Sequence, residues 1–126
     1  MDIEFIRRYG IMIIGFKNQF IESIMDGTKI HTIRIDKYER WKSGNSIQMV
    51  CNFRTKEQRQ FNSSVCYGVQ RIEFFMDSIW IDGRKLKSIE IRLLALNDGF
   101  QSTSDFLNWF NGGFVGKIIH WTQFRY

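Results

Sequence analysis

The chain has no proline, only two cysteines and only two histidines in 126 residues. It also has no internal repeat and no low-complexity tract. Without the composition of a linker, and at a length within the roughly 100 to 200 residues of a typical single core, residues 1–126 read as one domain. Cys51 and Cys66 lie outside any CxxC pair and away from histidines at ligand spacing, so the sequence indicates neither a disulfide framework nor a zinc site. No metal and no cofactor is expected, and two reduced thiols fit a cytoplasmic protein. The N-terminal part offers only Ile11-Met12-Ile13-Ile14 as an apolar run, far short of the ~20 residues that span a bilayer. Asp2 and Glu4 spoil the basic start of a signal peptide, so neither a membrane nor secretion is expected.

What the chain does have is apolar and aromatic mass, 44% and 16%, enough burial to offset the entropy of ordering it. Eighteen Lys and Arg against thirteen Asp and Glu give a formal charge of +5, which favours anionic partners.

Periodicity supplies the elements. Residues 1–9 carry Arg7 and Arg8 with little pattern, and Ile11 to Phe16 reads as a buried first strand. Asn18 to Asp26 follows as a short amphipathic helix with Asn18 as its cap and Gly27 as its C′ residue. Ile30 to Ile35 alternates, with Ile30, Thr32 and Arg34 on one face and His31, Ile33 and Ile35 on the other. Asp36 to Gly44 is a charged excursion holding Tyr38 and Trp41. Ser46 to Phe53 is a half-buried strand, Thr55 to Gln60 a polar loop, and Phe61 to Met76 a long strand whose parity flips near Gln70-Arg71, as a β-bulge would make it.

Asp82-Gly83 predicts a type I′ hairpin between Ser78 to Ile81 and Arg84 to Leu86. Helix and strand compete over Ser88 to Leu96 before Asn97-Asp98-Gly99 stops either. A helix capped by Ser102 carries Phe106, Leu107, Trp109 and Phe110, and Val115 to Phe124 ends the chain as a buried strand. The predicted fold is α+β, a small and mostly antiparallel, partly closed barrel with two or three short helices on its outside.

The stretch Gly27 to Arg34 concentrates chemistry. Thr32 and Arg34 share a strand face, and Lys29 reaches them only if the turn at Gly27 delivers it. A desolvated lysine can lose its proton near neutral pH and activate a hydroxyl, while an arginine beside it holds a carbonyl, carboxylate or phosphate. The same residues read equally as a solvated lysine, a threonine chosen for β propensity and a surface arginine. Lys37-Tyr38-Glu39-Arg40-Trp41-Lys42 interleaves aromatics with cations: Tyr38 or Trp41 could stack a base while Arg40 and Lys42 meet phosphate, or Trp41 could simply pin the excursion to the core. Arg54 to Arg59 is a second basic loop. His31 and His120 both read as core histidines, and Phe106, Trp109 and Phe110 as core rather than a ligand cage.

Gly27-x-Lys29-x-x-Thr32-x-Arg34, entered from a short helix and followed by Arg40-Trp41-Lys42-Ser43-Gly44, resembles the motif of the ASCH domain, a member of the PUA-like barrel superfamily. The resemblance runs from about Phe16 to Trp121 and takes in Asp98-Gly99-Phe100 before a helix and a final strand. It implies a PUA-like barrel, with Gly27 and Arg34 lining a ligand pocket. Most ASCH domains are regarded as RNA-binding or nucleotide-sensing modules, so RNA or a nucleoside or nucleotide is the implied partner. The family motif usually has glutamate where this chain has Thr32, and the small bacterial acetylcytidine amidohydrolases of the group also carry threonine there. In those enzymes the motif lysine and threonine are proposed as base and nucleophile with a later glutamate as acid partner. That implies Lys29 as base and Thr32 as nucleophile. No later glutamate has a matching context; Asp98 lies in the corresponding region, and Glu73 and Glu90 match less well. The alternatives are thus a nucleotide-binding domain, an amidohydrolase, or a protein-interaction module that uses the fold as scaffold.

Overall fold

The computed structural model describes residues 10–126. The expectations for Asp2, Glu4, Arg7 and Arg8 lie outside the described residues. Eight strands form two sheets, one of three strands and one of five. β1 (Ile11–Gly15) lies at the edge of the smaller sheet, parallel to β3 (Ser46–Cys51), which pairs antiparallel with β4 (Arg59–Val65). In the larger sheet the spatial order is β2 (His31–Arg34), β8 (Phe114–His120), β5 (Gly68–Phe75), β6 (Ser78–Ile81) and β7 (Arg84–Lys85), all antiparallel. Among the described residues no ladder joins the two sheets into a closed cylinder. Three short helices complete the α+β fold: α1 (Ile21–Met25), preceded by a 3₁₀ turn at Asn18–Phe20, then α2 (Ser88–Asn97) and α3 (Thr103–Trp109). Among the described residues no helix is long and apolar enough to cross a membrane.

The core collects one face of each sheet and helix. Met49, Ile72, Leu94, Phe106, Ile118 and Ile119 are fully buried in it. Central strand β8 pairs on both sides, and Ile118, Ile119 and His120 are buried consecutively rather than in alternation, so both faces of the sheet are covered at that end of the strand. The aromatics cluster around α3, where Phe74 stacks on Phe110 at 4.9 Å and meets Phe106 at 5.7 Å. At the tip of the β6–β7 hairpin both Asp82 (φ 49°) and Gly83 (φ 80°) are left-handed, as the type I′ turn requires.

Four expectations need correction. β1 is not a buried strand: it has one neighbour, and Ile11 and Ile13 are 41% and 50% exposed while Ile14 alone of the four is buried. Asn18 does not cap the first helix; Lys17 holds that position without a side-chain bond. The segment Phe61 to Met76 is two strands, because the chain leaves the smaller sheet at Val65 and enters the larger one at Gly68. The parity flip is that passage, and β5 runs against β8 in unbroken register through Gln70 and Arg71; the irregularity falls instead at Met49/Val50 on β3. In the ambiguous Ser88 to Leu96 segment helix wins, started by the Glu90 carboxylate accepting the Lys87 backbone N–H at 3.0 Å. That helix buries Leu94 and Ala95, while Ile89, Leu93 and Leu96, which also recur at helical spacing, are exposed.

Candidate functional site

Gly27, left-handed at φ 84°, ends α1 and turns the chain back on itself. Lys29 then docks its backbone N–H on the Ser23 carbonyl at 2.9 Å, and Ile30 does the same on Asn97, the last residue of α2. Two helix ends therefore fix the entry to β2 and send the Lys29 side chain inward. Its stem passes over Gly99, where a Cβ would come within 2.9 Å of Lys29 Cδ, so the left-handed glycine (φ 90°) is also a clearance.

At the end of that stem, Lys29 Nζ donates to two oxygens of Asp98, the backbone carbonyl at 2.6 Å and Oδ1 at 3.1 Å. Lys29 and Asp98 are 2% and 3% exposed. Burial pulls the Lys29 ammonium below the ordinary lysine range, and Asp98 opposes that shift without reversing it. The Lys29 Nζ also lies 4.9 Å from the Phe20 ring centre and 5.8 Å from that of Phe16. Arg34, on the same face of β2 as Thr32, donates Nε to Thr32 Oγ1 at 3.1 Å and Nη2 to the Gly15 carbonyl at 2.9 Å. These two bonds tie the Arg34 guanidinium to Thr32 on β2 and to Gly15 at the end of β1.

Lys29, Thr32, Arg34 and Asp98 all line one cavity of about 510 Å³. Its walls are aromatic: Phe16 and Phe20 from the β1–α1 connection, Phe100 after α2, and Trp109, Phe110 and Phe114 around the end of α3. These rings interlock, with Phe20 edge-on to Phe100 at 5.4 Å and to Trp109 at 5.5 Å. A buried lysine, a half-buried arginine, one carboxylate, one hydroxyl and several ring faces suit a flat heterocycle bearing carbonyl or anionic groups.

His31 is buried, as expected of a core histidine, but it is wired to the site. Asn97 Nδ2 donates to the Tyr126 hydroxyl at 3.1 Å, and the hydroxyl lies 2.6 Å from His31 Nε2. The hydroxyl proton therefore goes to Nε2, leaving the proton of the neutral ring on Nδ1, which donates to Asp98 Oδ1 at 3.1 Å. Burial lowers the His31 pKa, favouring that neutral form. Tyr126 is clamped in turn: its N–H reaches Gln70 Oε1 at 3.0 Å and its carbonyl accepts from Gln70 Nε2 at 3.1 Å. His120, buried beside it, shares Gln70 Oε1 at 3.0 Å through Nε2, and its Nδ1 has no partner among the described residues.

The other sequence candidates fall elsewhere. Gly27 shapes the turn but does not line the cavity. Arg40 and Trp41 line a neighbouring groove, and Trp41 is also packed against the core. Tyr38 is 77% exposed, and neither it nor Lys42 lines the cavity or the groove. The reading of Phe106, Trp109 and Phe110 as core holds for Phe106, which is fully buried, and for Phe110, which packs against the core and also lines the cavity, while Trp109 is half-exposed at the cavity wall. Sequence reasoning also missed Phe16, Phe20, Phe100 and Phe114, and no local pattern marks them, because their common cavity exists only once the helices dock. Among the described residues no group of three or more His, Cys, Asp or Glu is placed to hold a metal ion. Comparison with protein-family models, with curated proteins and with solved structures finds no match to this chain.

Proposed function

We propose that this chain is a nucleotide-binding domain of the ASCH type, its two sheets forming the walls of a partly closed PUA-like barrel. The ligand is a nucleoside or nucleotide, free or as a base splayed out of RNA, and it enters the cavity between β2 and α3. The observation that carries this reading is the convergence of Lys29, Thr32, Arg34 and Asp98 on one aromatic-walled cavity. Its volume of about 510 Å³ lies within the ~300 to 1,000 Å³ of small-molecule sites. Base stacking on such rings is worth ~1 to 3 kcal/mol, and the buried donors supply orientation. Titration with ribonucleosides, nucleotides, RNA and single-stranded DNA, at low and moderate salt, tests the proposal. Saturable binding supports it, and no binding to any of them ends it.

A second reading, release of an acyl group from a modified cytidine, is favoured by the carboxylate within 3.1 Å of Lys29. A neutral Lys29 amine has two N–H bonds, matching the two Asp98 acceptors, and keeps a lone pair to act as base. In this reaction Thr32 Oγ1 adds to the amide carbon as Lys29 takes its proton. The C–N bond then breaks, the proton passes to the departing amine, and water hydrolyses the threonine ester to acetate. Incubation with acetylcytidine should release cytidine, and Thr32→Val and Lys29→Met should each abolish that release. If cytidine fails to appear with the unaltered protein, this reading is wrong while the binding proposal stands.

A further inference from the structure

Beside the cavity lies a groove of about 770 Å³. Gly15, Phe16, Lys17 and Arg34 line both spaces, so the two adjoin at Arg34. Their chemistry differs. The cavity contains the Asp98 carboxylate, whereas among the described residues the groove is lined by three cations, Lys17, Arg34 and Arg40, and by no carboxylate.

The acidic residues nearest Arg40 in sequence are engaged elsewhere. Asp36 accepts the backbone N–H groups of Arg40 at 2.8 Å and Trp41 at 3.0 Å, which fixes the excursion, and Glu39 pairs with Lys117 at 2.9 Å. Among the described residues the Arg40 side chain makes no ion pair, and Arg34 uses Nε and Nη2 on Thr32 and Gly15 with Nη1 uncommitted. Opposite Arg40, the β3–β4 loop closes the groove with Asn52 and Phe53.

From this arrangement we infer that the ligand is a phosphorylated nucleotide rather than a free nucleoside, with its phosphate held in the groove by Arg34, Arg40 and Lys17. The inference rests on the nucleotide-binding proposal and deepens it. Guanidinium groups match phosphate geometry through paired N–H donors, and three cations without a carboxylate lose nothing to internal neutralisation when the anion arrives. Arg34 touches both spaces and so sets the distance between the recognised heterocycle and its phosphate. A mononucleotide and an internal nucleotide of single-stranded RNA both present this chemistry.

The test is calorimetric titration with the four common ribonucleosides, their 5′- and 3′-monophosphates, and single-stranded RNA pentamers of each base. The monophosphate of the preferred base should bind roughly tenfold or more tightly than its nucleoside, as one strong charge-assisted contact would give. Its affinity should fall as salt rises more steeply than that of the nucleoside. Arg40→Gln, a change on an exposed side chain, should shrink the ratio between monophosphate and nucleoside. A pentamer that binds more tightly than the monophosphate identifies a strand as the source, and equal or weaker binding identifies a free nucleotide. Equal affinity for nucleoside and monophosphate, or a ratio unmoved by Arg40→Gln, overturns the inference and leaves the nucleoside pocket intact. Absence of binding by every probe overturns both.

Discussion

Lys29 and Asp98, 69 positions apart, meet in the interior with Nζ 3.1 Å from Oδ1 and 2.6 Å from the Asp98 carbonyl. A buried pair of this kind contributes little net stability by itself, but breaking it strands a charge at a cost of about 3 to 5 kcal/mol. Asp98→Ala should therefore destabilise the fold by that order in urea unfolding. Lys29→Met combined with Asp98→Asn should cost less than the sum of the two single changes, since the double variant leaves no lone charge. Strict additivity would mean that the two side chains do not interact.

Much of this was legible from Gly27 to Arg34, where a helix stop, a turn and a short strand are local matters and period two puts Thr32 beside Arg34. Asp98 was legible only as the acidic residue before a glycine stop. Its partnership with Lys29 depends on α1 and α2 ending side by side, which no local pattern encodes. The link from His31 to Tyr126 was invisible for the same reason. Cys66-Tyr67 hid the passage between sheets, because Gly68 alone punctuates it and apolar residues of strand type, Val65 and Val69, continue on both sides.

Tyr126→Phe removes the hydroxyl that fixes the His31 tautomer. The loss should be about 1 to 3 kcal/mol, the usual cost of leaving a buried group unsatisfied. Nitrogen-15 NMR of the histidine rings should show His31 neutral with its proton on Nδ1 in the unaltered protein, and a changed pattern in the variant. A His31 ring protonated on Nε2 would refute the relay toward Asp98.

Both histidines make the fold acid-sensitive. Burial lowers His31, and it pushes His120 down to about 3 from 6.5. The unfolded chain thus takes up protons that the folded chain refuses, so this contribution to stability is intact above pH 6.5 and is lost progressively as pH falls toward about 3. Thermal unfolding should show Tm falling between about pH 7 and pH 4.5, with a smaller fall in His120→Gln. A Tm that holds level or rises over that range would contradict the assignment of neutral buried rings.

Gly99→Ala places a methyl 2.9 Å from Lys29 Cδ on a left-handed backbone. The variant should lose stability, with about 1 kcal/mol from the backbone conformation alone. It should also weaken ligand binding by displacing the Lys29 stem. Gly27→Ala shares the backbone cost but meets nothing within 4 Å, so it should spare binding. Equal effects of the two on binding would show that the clearance at Gly99 is unimportant.

Binding site and ligand class are tested together most directly by NMR titration of the isotope-labelled protein with nucleoside monophosphates. The account predicts saturable shifts concentrated at Thr32, Arg34, Phe100, Trp109 and Phe114, and their loss in Lys29→Met. Shifts confined to another surface, or no shifts with any of the four nucleotides, would contradict it.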